Sequence, residues 1–251
     1  MLDSTKIILL SGRGNRFKDE GYSKPKGLLK IGDTELAILS ADSLPLTKNT
    51  IFGIQKTDEI NYNFSHIINE KYKPQSKIYL FDEYTNGQAT SNYEILNSDF
   101  YTPINENFFV LACDFSFKVH ESKIVKSLNK KYHAIVFTYP AESYNYDNSD
   151  SYGWIRADSK NIVRYVSCKK RIQPLQSSDF IITGAFNFLN KDIFFRYYKK
   201  MNEQQKFVNN ETYIDTMIEL MVKDGLNIFN YQVDFFRNFG TPNQYEFEKS
   251  K

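Results

Sequence analysis

The stretch LLSGRGNRFKDEGYSKPKGLL (residues 9–29) decides the first part of the fold prediction. It begins in a short apolar run, KIILL (6–10), whose length and composition are typical of a buried strand. Gly12 and Gly14 follow directly. A glycine-rich turn after the first strand of a β-α-β unit lets backbone N–H groups approach phosphate oxygens closely. The stretch therefore predicts a strand followed by a phosphate-binding turn.

Two basic residues in the same stretch suit a phosphate ligand. Arg16 carries a guanidinium that can form paired hydrogen bonds to phosphate oxygens, and Lys26 supplies a point charge. The familiar glycine loops fit less well, because the GxxxxGK[ST] pattern of the P-loop is absent. The dinucleotide fingerprint requires a third glycine where Phe17 stands, and no helix-forming run follows the turn. An ordinary turn with solvated Arg16 and Lys26 is the alternative.

Apolar runs alternate with helical periodicity along the chain, which indicates an α/β fold. The predicted strands are 6–10, 51–54, 77–81, 108–113 and 134–139, and the predicted helices are 34–44, 61–72, 87–100, 121–132 and 209–224. Because the strand runs are almost continuously apolar, we expect a largely parallel sheet covered on both faces. After residue 150 the strand-like runs are closely spaced and predict a mixed sheet. The polar stretch 140–153 is predicted to be a surface loop.

Composition and charge exclude several classes of protein. The chain has 251 residues, 41% of them hydrophobic, which is enough for one sizeable core. Its 32 basic and 30 acidic residues are nearly balanced, so we expect neither nucleic acid nor a membrane as a partner. Two isolated cysteines, Cys113 and Cys168, are typical of a reduced, cytoplasmic protein. We see no signal peptide and no apolar stretch of the roughly 18 residues that a membrane helix needs.

Asp114 is the first candidate metal ligand. It follows the apolar run FFVLAC (108–113), and ligands of open α/β sheets bind at the carboxyl ends of the strands. Mg²⁺ is commonly bound by one or two carboxylates together with substrate phosphates, so a single Asp is a sufficient starting point. A plain turn residue is the alternative.

The motifs together resemble the sugar-phosphate nucleotidyltransferases, also called pyrophosphorylases. The resemblance is closest to the short bacterial kind encoded with capsule and surface-polysaccharide genes. It is carried, in the order of the family, by LSGRGNRF…KPKGLL, TNGQATSNYEIL, FFVLACDFSF, YGWIRAD, IITGAFNFL and FRNFGTP. It implies a three-layer Rossmann-like (glycosyltransferase-A-like) fold with a mixed, mostly parallel central sheet. Residues 1–251 would form one domain, with a nucleotide-binding half (1–132) and an acceptor-binding half (133–251).

The resemblance also implies roles for individual residues. The catalytic residues would be Arg16, Lys26 and Asp114. The nucleotide would be bound by Leu10, Ser11, Gly12, Gly14, Asn15, Gly87 and Gln88, the last two beside the base. For Gly87 and Gln88 the alternative is simple helix capping by Thr85 and Asn86. The acceptor would be bound by Gly153, Lys169, Thr183 and Gly184, with Gly240 and Thr241 closing the site.

Two positions depart from the family pattern. Cys168 stands where the family usually has a Glu that binds sugar hydroxyls, so the acceptor need not be an ordinary pyranose 1-phosphate. Asn238 stands where the family has a second metal-binding Asp, and Asp234 lies four residues earlier. Asn238 could be the second Mg²⁺ ligand, Asp234 could replace it, or Asp114 could act largely alone.

The resemblance predicts transfer of a nucleoside monophosphate to a small phosphorylated acceptor, with release of pyrophosphate. CTP is the first expectation for the donor, with UTP, dTTP and GTP open. The acceptor could be a sugar, polyol or other small phosphate, and a homodimer is possible. A glycosyltransferase is one alternative, although its Asp-x-Asp motif is absent because Phe115 and Ser116 follow Asp114. A non-catalytic nucleotide- or sugar-phosphate-binding protein is the other.

Overall fold

The computed structural model describes residues 1–72, 76–101, 107–177 and 179–251. The strands in these ranges are β1 (Leu2–Leu10), β2 (Lys30–Ile31), β3 (Thr34–Glu35), β4 (Thr47–Gln55), β5 (Ser76–Phe81), β6 (Phe108–Ala112), β7 (Phe115–Lys118), β8 (Ala134–Pro140), β9 (Gly153–Ala157), β10 (Val163–Cys168), β11 (Asp179–Phe188), β12 (Ile228–Gln232) and β13 (Phe235–Asn238). The helices are α1 (Asn15–Asp19), α2 (Leu36–Ala41), α3 (Lys56–Tyr62), α4 (Phe64–Lys71), α5 (Gln88–Leu96), α6 (Glu121–Asn129), α7 (Ser143–Asp147), α8 (Lys191–Glu203), α9 (Ile214–Lys223) and α10 (Pro242–Lys249). Within these ranges no helix combines the length and the apolar character needed to cross a bilayer.

One nine-stranded sheet organises the molecule. The order of its main path is β10-β9-β11-β6-β1-β4-β5. In addition, β8 pairs with β11, and β12 pairs with β8. The strands β6, β1, β4 and β5 are parallel, so that Ile7 lies between Ile51 and Val110. In contrast, β11 runs antiparallel to β6, β8 and β9. The mixed sheet predicted from the sequence is therefore confirmed.

Both faces of the sheet are covered by helices. Ile7 and Leu9 of β1 face an apolar cluster that includes residues of α5, α8 and α9, whereas Ile8 and Leu10 face a cluster that includes residues of α2, α4 and α6. Successive side chains of a strand point to opposite faces, so an unbroken apolar run fits a strand between two helix layers. The three-layer arrangement predicted from the resemblance is confirmed.

The order of the strands creates a crevice beside β1. The next long strand, β4, lies on one side of β1, while β6 lies on the other. Where the connections from two adjacent parallel strands lead to opposite sides, a crevice forms between them at the carboxyl ends of the strands. Proteins with α/β folds bind ligands in such crevices. The turn after β1 and Asp114 after β6 both lie at this point. From the C-terminal part of the chain, β13 pairs with β7 and places Asn238 opposite Phe115.

Three local predictions differ from the structure in the N-terminal and middle parts of the chain. The turn at Gly14 is followed by the five-residue helix α1, which the sequence did not indicate. The predicted helix 61–72 is interrupted at Asn63, which adopts a left-handed conformation (φ 48°) between α3 and α4. The stretch 140–153 is not simply a loop, because Glu142 and Asn145 form a reciprocal capping box that begins α7.

The predicted helix 209–224 begins later than its apolar pattern indicates. Val208 and Glu211 form a tight bridge, and the Thr212 N–H donates to the Asn86 carbonyl oxygen at 2.7 Å. These backbone contacts tie the segment to the loop before α5, so α9 begins only at Ile214. A long-range pairing here overrides a local helical pattern.

Candidate active site

A cavity of about 560 Å³ opens at the carboxyl ends of β1 and β6. This volume is within the range of small-molecule sites. Its lining contains every candidate site residue from the sequence except Asp234, namely Leu10, Ser11, Gly12, Gly14, Asn15, Arg16, Lys26, Gly87, Gln88, Asp114, Gly153, Lys169, Thr183, Gly184 and Asn238, together with Gly240 and Thr241. Segments from the whole length of the chain therefore meet at one place.

The turn after β1 is anchored on its inner side and open toward the cavity. The Ser11 hydroxyl is 2.9 Å from that of Ser91, and Gln55 Nε2 donates to the Ser11 carbonyl oxygen at 3.2 Å. Gly14 adopts a left-handed conformation (φ 64°) at the start of α1. A glycine accommodates this conformation without the steric cost that a side chain would impose. Arg16, the second residue of α1, is exposed at the rim.

Lys26 and Asp114 form an ion pair inside the cavity. Lys26 Nζ lies 2.7 Å from Asp114 Oδ2, and each side chain is about a quarter exposed (23% and 26%). Burial alone would lower the pKa of Lys26, but the Asp114 carboxylate raises it above its ordinary value. Burial alone would likewise raise the pKa of Asp114, but Lys26 lowers it. Both groups are therefore charged at neutral pH, and Lys26 is fixed where an anion can reach it.

Asp114 and Asn238 each have a side-chain oxygen atom close to Gly240. A Cβ on Gly240 would lie 3.1 Å from Asn238 Oδ1 and 3.5 Å from Asp114 Oδ2. The Gly240 N–H donates to Asn238 Oδ1 at 2.9 Å, and Asn238 Nδ2 donates to the Tyr152 hydroxyl at 3.2 Å. One carboxylate and one amide oxygen are the ligand types that Mg²⁺ accepts alongside substrate phosphates. Asp114 and Asn238 are thus residues that could hold a magnesium ion.

Asp234 does not reach this position. It lies in the turn between β12 and β13, where its side chain is 45% exposed and 3.6 Å from His120 Nε2. It does not line the cavity. Of the two residues that the sequence left open as a second metal ligand, the structure brings only Asn238 to Asp114.

The expected acceptor residues line the same cavity. Lys169 adopts a left-handed backbone conformation (φ 56°), unusual for a residue with a side chain. Its Nζ donates to the Ser151 carbonyl oxygen at 2.9 Å and lies 5.5 Å from the centre of the Tyr213 ring. The Thr183 hydroxyl donates to the Phe137 carbonyl oxygen at 3.0 Å. Gly184 (φ 92°) lies in β11 where the register of its pairing with β8 shifts.

Gly87 is the N-cap residue of α5 and contacts the segment that precedes α9. Its φ is 115°, and a Cβ there would lie 2.6 Å from both the backbone N and O atoms of Thr212. Gln88 follows as the first residue of the helix and lines the cavity. Thr85 does not cap the helix, because its hydroxyl bonds to that of Ser91. The capping interpretation of this motif is therefore wrong, and Gly87 occupies the N-cap position.

Asp215 is a cavity residue that the sequence analysis missed. It lies in the first turn of α9 and is 8% exposed. Burial raises the pKa of its carboxyl group to about 6, an effect that the positive charge of Lys169 partly offsets. The sequence shows Asp215 only as one polar residue in a helical apolar pattern, and no local signal indicates that it faces a ligand site.

The fold and this cavity agree with a sequence comparison. The chain matches the nucleotidyl transferase family over residues 5–246, and it therefore belongs to that family. Among curated proteins, none matches it in sequence.

Solved structures share the fold at low sequence identity. The nucleoside-diphosphate-sugar pyrophosphorylase from Vibrio cholerae RC9 is 18% identical, with a TM-score of 0.77 over 98% of this chain and 100% of that chain. The inositol-1-phosphate CTP transferase from T. maritima is 16% identical, with a TM-score of 0.70 over 98% of this chain and 95% of that one. The similarity extends over the whole of the architecture described above.

Proposed function

We propose that this nucleotidyltransferase transfers CMP from CTP to a sugar phosphate or a related small phosphate, releasing pyrophosphate. The product would be an activated precursor for capsule or surface polysaccharide. The observation that carries the proposal is the charged pair Lys26–Asp114 (2.7 Å) at the carboxyl ends of β1 and β6, with Lys169 lining the same cavity and close enough for its charge to lower the pKa of Asp114. Two phosphate-bearing substrates require more than one cation in one site, and Arg16, Lys26 and Lys169 all line this cavity.

The reaction requires no general base. An oxygen of the acceptor phosphate, already an anion at pH 7, attacks the α-phosphorus of the nucleotide. As the new O–P bond forms, the bond from the α-phosphorus to the bridging oxygen breaks, and pyrophosphate leaves with that electron pair. The main barrier is repulsion between two polyanions, so catalysis consists of positioning and charge neutralisation.

Each cation has a distinct task in this proposal. Arg16 and the N–H groups of the turn after β1 hold the β- and γ-phosphates. Lys26 stabilises negative charge at the α-phosphate, and its raised pKa keeps it protonated there. Lys169 orients the acceptor phosphate. Arg16 lies near enough to Lys26 for its charge to oppose protonation of Lys26. Bound phosphates would relieve that repulsion.

Magnesium belongs to the same proposal. Asp114 and Asn238 would hold the ion through Oδ atoms that both lie near Gly240. Bound Mg²⁺ would neutralise charge on the triphosphate. The side chain of Asn238 is oriented in advance by Gly240 and Tyr152.

The preference for CTP rests on the capsule-type motifs and on a shared fold. The T. maritima structure, whose fold this chain shares, is described as a CTP transferase. The base would lie beside Gly87 and Gln88, where the Gln88 amide can hydrogen-bond with a base edge. The alternatives from the sequence are less favoured: a glycosyltransferase would present Asp-x-Asp, but β7 begins with Phe115 directly after Asp114.

Measuring thermal stabilisation and pyrophosphate release tests the proposal. CTP, UTP, dTTP, GTP and ATP, each with Mg²⁺, would be added to the wild type and to the variants Arg16→Ala and Asp114→Ala. We expect CTP to stabilise the wild type by roughly 2.7 kcal/mol at 100 times its Kd. Turnover with a panel of sugar and polyol phosphates should fall by about 10²–10³-fold or more in each variant.

Matched controls separate this result from a general loss of charge. Arg196→Ala and Asp192→Ala remove exposed charges on α8, outside the cavity, and should leave turnover unchanged. Near-wild-type turnover of Arg16→Ala or Asp114→Ala would refute the mechanism. Stabilisation by CTP without pyrophosphate release from any acceptor would instead support a binding protein.

A further inference from the structure

The carboxylate of Asp215 occupies the space in which residue 153 would have a side chain. A Cβ on Gly153 would lie 1.9 Å from Asp215 Oδ2 and 2.8 Å from its Cγ. A side chain at residue 153 would displace the Asp215 carboxylate, which α9 places against β9.

This carboxylate lies beside the two residues that end β10 and follow it. Cys168 pairs directly with Gly153 in the antiparallel β9–β10 ladder. Directly opposed residues project to the same face of a sheet, about 5 Å apart, so the Cys168 side chain and the Asp215 carboxylate share one face. Burial and the negative charge of Asp215 raise the pKa of the Cys168 thiol, and the positive charge of Lys169 lowers that of Asp215. Asp215, Cys168 and Lys169 thus form one cluster.

The Asp215 carboxylate has unused capacity to accept hydrogen bonds. It accepts one from its own backbone N–H, and no side chain in the described part of the chain donates to it. Lys169, the nearest cation, donates to the Ser151 carbonyl oxygen instead. An ionised carboxylate has room for about four hydrogen bonds, and buried polar atoms are almost always paired. Because Asp215 lines the cavity, a ligand can supply the missing donors.

We propose that Asp215 binds hydroxyl groups of the acceptor and thereby selects a polyhydroxylated phosphate, such as a sugar or polyol phosphate. The inference rests on the proposed function, in which Lys169 holds the acceptor phosphate. Asp215 is then a specificity-determining residue contributed by α9, a part of the chain with no recognisable motif. Asp215 supplies a carboxylate that β10 does not, because the last residue of β10 is Cys168 where the family usually has a Glu.

The neighbouring charges favour hydroxyl groups over a cationic group as the partner of Asp215. Lys169 is close enough to affect the ionisation of Asp215, so an ammonium group on the carboxylate would also lie near the Lys169 ammonium. A neutral hydroxyl near the phosphate can bind Asp215 while the phosphate binds Lys169, and no like charges approach each other. Phosphorylated amines such as phosphocholine are therefore expected to be poor acceptors.

Steady-state kinetics of Asp215→Asn tests the inference. The acceptors would be glucose 1-phosphate, ribitol 5-phosphate and glycerol 3-phosphate, with phosphocholine as the probe without hydroxyl groups. We expect the KM of the hydroxylated acceptor that the wild type uses to rise between about 10-fold and 100-fold, as for loss of hydrogen bonds to a charged group. The KM for the nucleotide should not change, because Asp215 lies on the acceptor side.

Two further variants make the outcome decisive. Asp215→Asn with Cys168→Glu returns a carboxylate to the cluster and should lower the acceptor KM again. Asp192→Asn alters an exposed carboxylate on α8, outside the cavity, and it should have no effect. An unchanged acceptor KM in Asp215→Asn, or a wild-type preference for phosphocholine, would overturn the inference. Absence of wild-type turnover with every acceptor would overturn the proposed function itself.

Discussion

At the scale of single residues, the site contains carboxylates in two different electrostatic environments. Lys26 and Asp114 stabilise each other, so their charges persist inside the cavity. Asp215 has no comparable ion pair within the described residues, and burial makes its ionised form unfavourable, an effect that Lys169 only partly offsets. A buried carboxylate with few donors destabilises the folded protein, which is a common feature of residues placed for a ligand rather than for stability.

The substitution Asp215→Asn should therefore stabilise the ligand-free protein at pH 7. A pKa raised from 3.8 to about 6 corresponds to an upper value of about 3 kcal/mol. The folded wild type binds more protons than the unfolded chain between pH 4 and 6, so its stability falls as pH rises through this window and stays lower above it. Urea unfolding of both proteins at pH 4.5 and pH 7.5 would measure this.

The stabilisation should be present at pH 7.5 and largely absent at pH 4.5, where the wild-type carboxyl group is protonated. Glu219→Gln, on the same helix, serves as the control. A loss of stability at pH 7.5 in Asp215→Asn would show instead that the carboxylate supports the fold.

At the scale of elements, the site depends on close contact between segments that are distant in sequence. The loop before α5 and the segment before α9 are joined by backbone hydrogen bonds from the Thr212 N–H to Asn86 and from the Ala89 N–H to Thr212 (2.7 and 3.1 Å). Gly87 lies between them with no space for a side chain. This contact connects the expected base-binding turn to the helix that carries Asp215.

Gly87→Ala should destabilise the protein by at least about 2 kcal/mol. The alanine would adopt an unfavourable positive φ, and its Cβ would lie 2.6 Å from backbone atoms of Thr212, which cannot move as a flexible side chain can. Gly12→Ala is the matched control, because a Cβ at Gly12 meets no atom within 4 Å. Thermal unfolding of the two variants distinguishes them, and equal melting temperatures would contradict the prediction.

At the scale of the whole molecule, one sheet connects the two predicted halves. The strand β11, in the acceptor half, pairs with β6 in the nucleotide half and also with β8 and β9. The strand β13 pairs with β7 across the same boundary. The cavity takes residues from both sides, so neither half contains a complete site.

Unfolding should therefore occur in a single cooperative transition. We expect the calorimetric and van't Hoff enthalpies to agree, and we expect Mg²⁺ with CTP to shift the whole transition. Two separate transitions, or a ligand effect confined to one of them, would show that residues 1–132 and 133–251 are independent domains.

The sequence by itself determined the fold class and about half of the cavity lining. Apolar strand runs, a glycine turn and charged residues at strand ends are local features, and the order of parallel strands places strand ends together. Arg16, Lys26 and Asp114 could therefore be assigned to one region before the structure was known. The sequence did not indicate the five-residue helix α1 after Gly14, but this helix affects only the local backbone of that region.

Only the tertiary structure decided the positions of Asp215 and Asp234. These two carboxylates look alike in sequence, but α9 packs on β10 and directs Asp215 into the cavity, whereas the β12–β13 turn exposes Asp234 beside His120. Which carboxylate is buried depends on long-range packing between elements, and no neighbouring residue encodes it. For the same reason Gly153 could be recognised as a motif glycine from the sequence, while the carboxylate that occupies the space beside it could not.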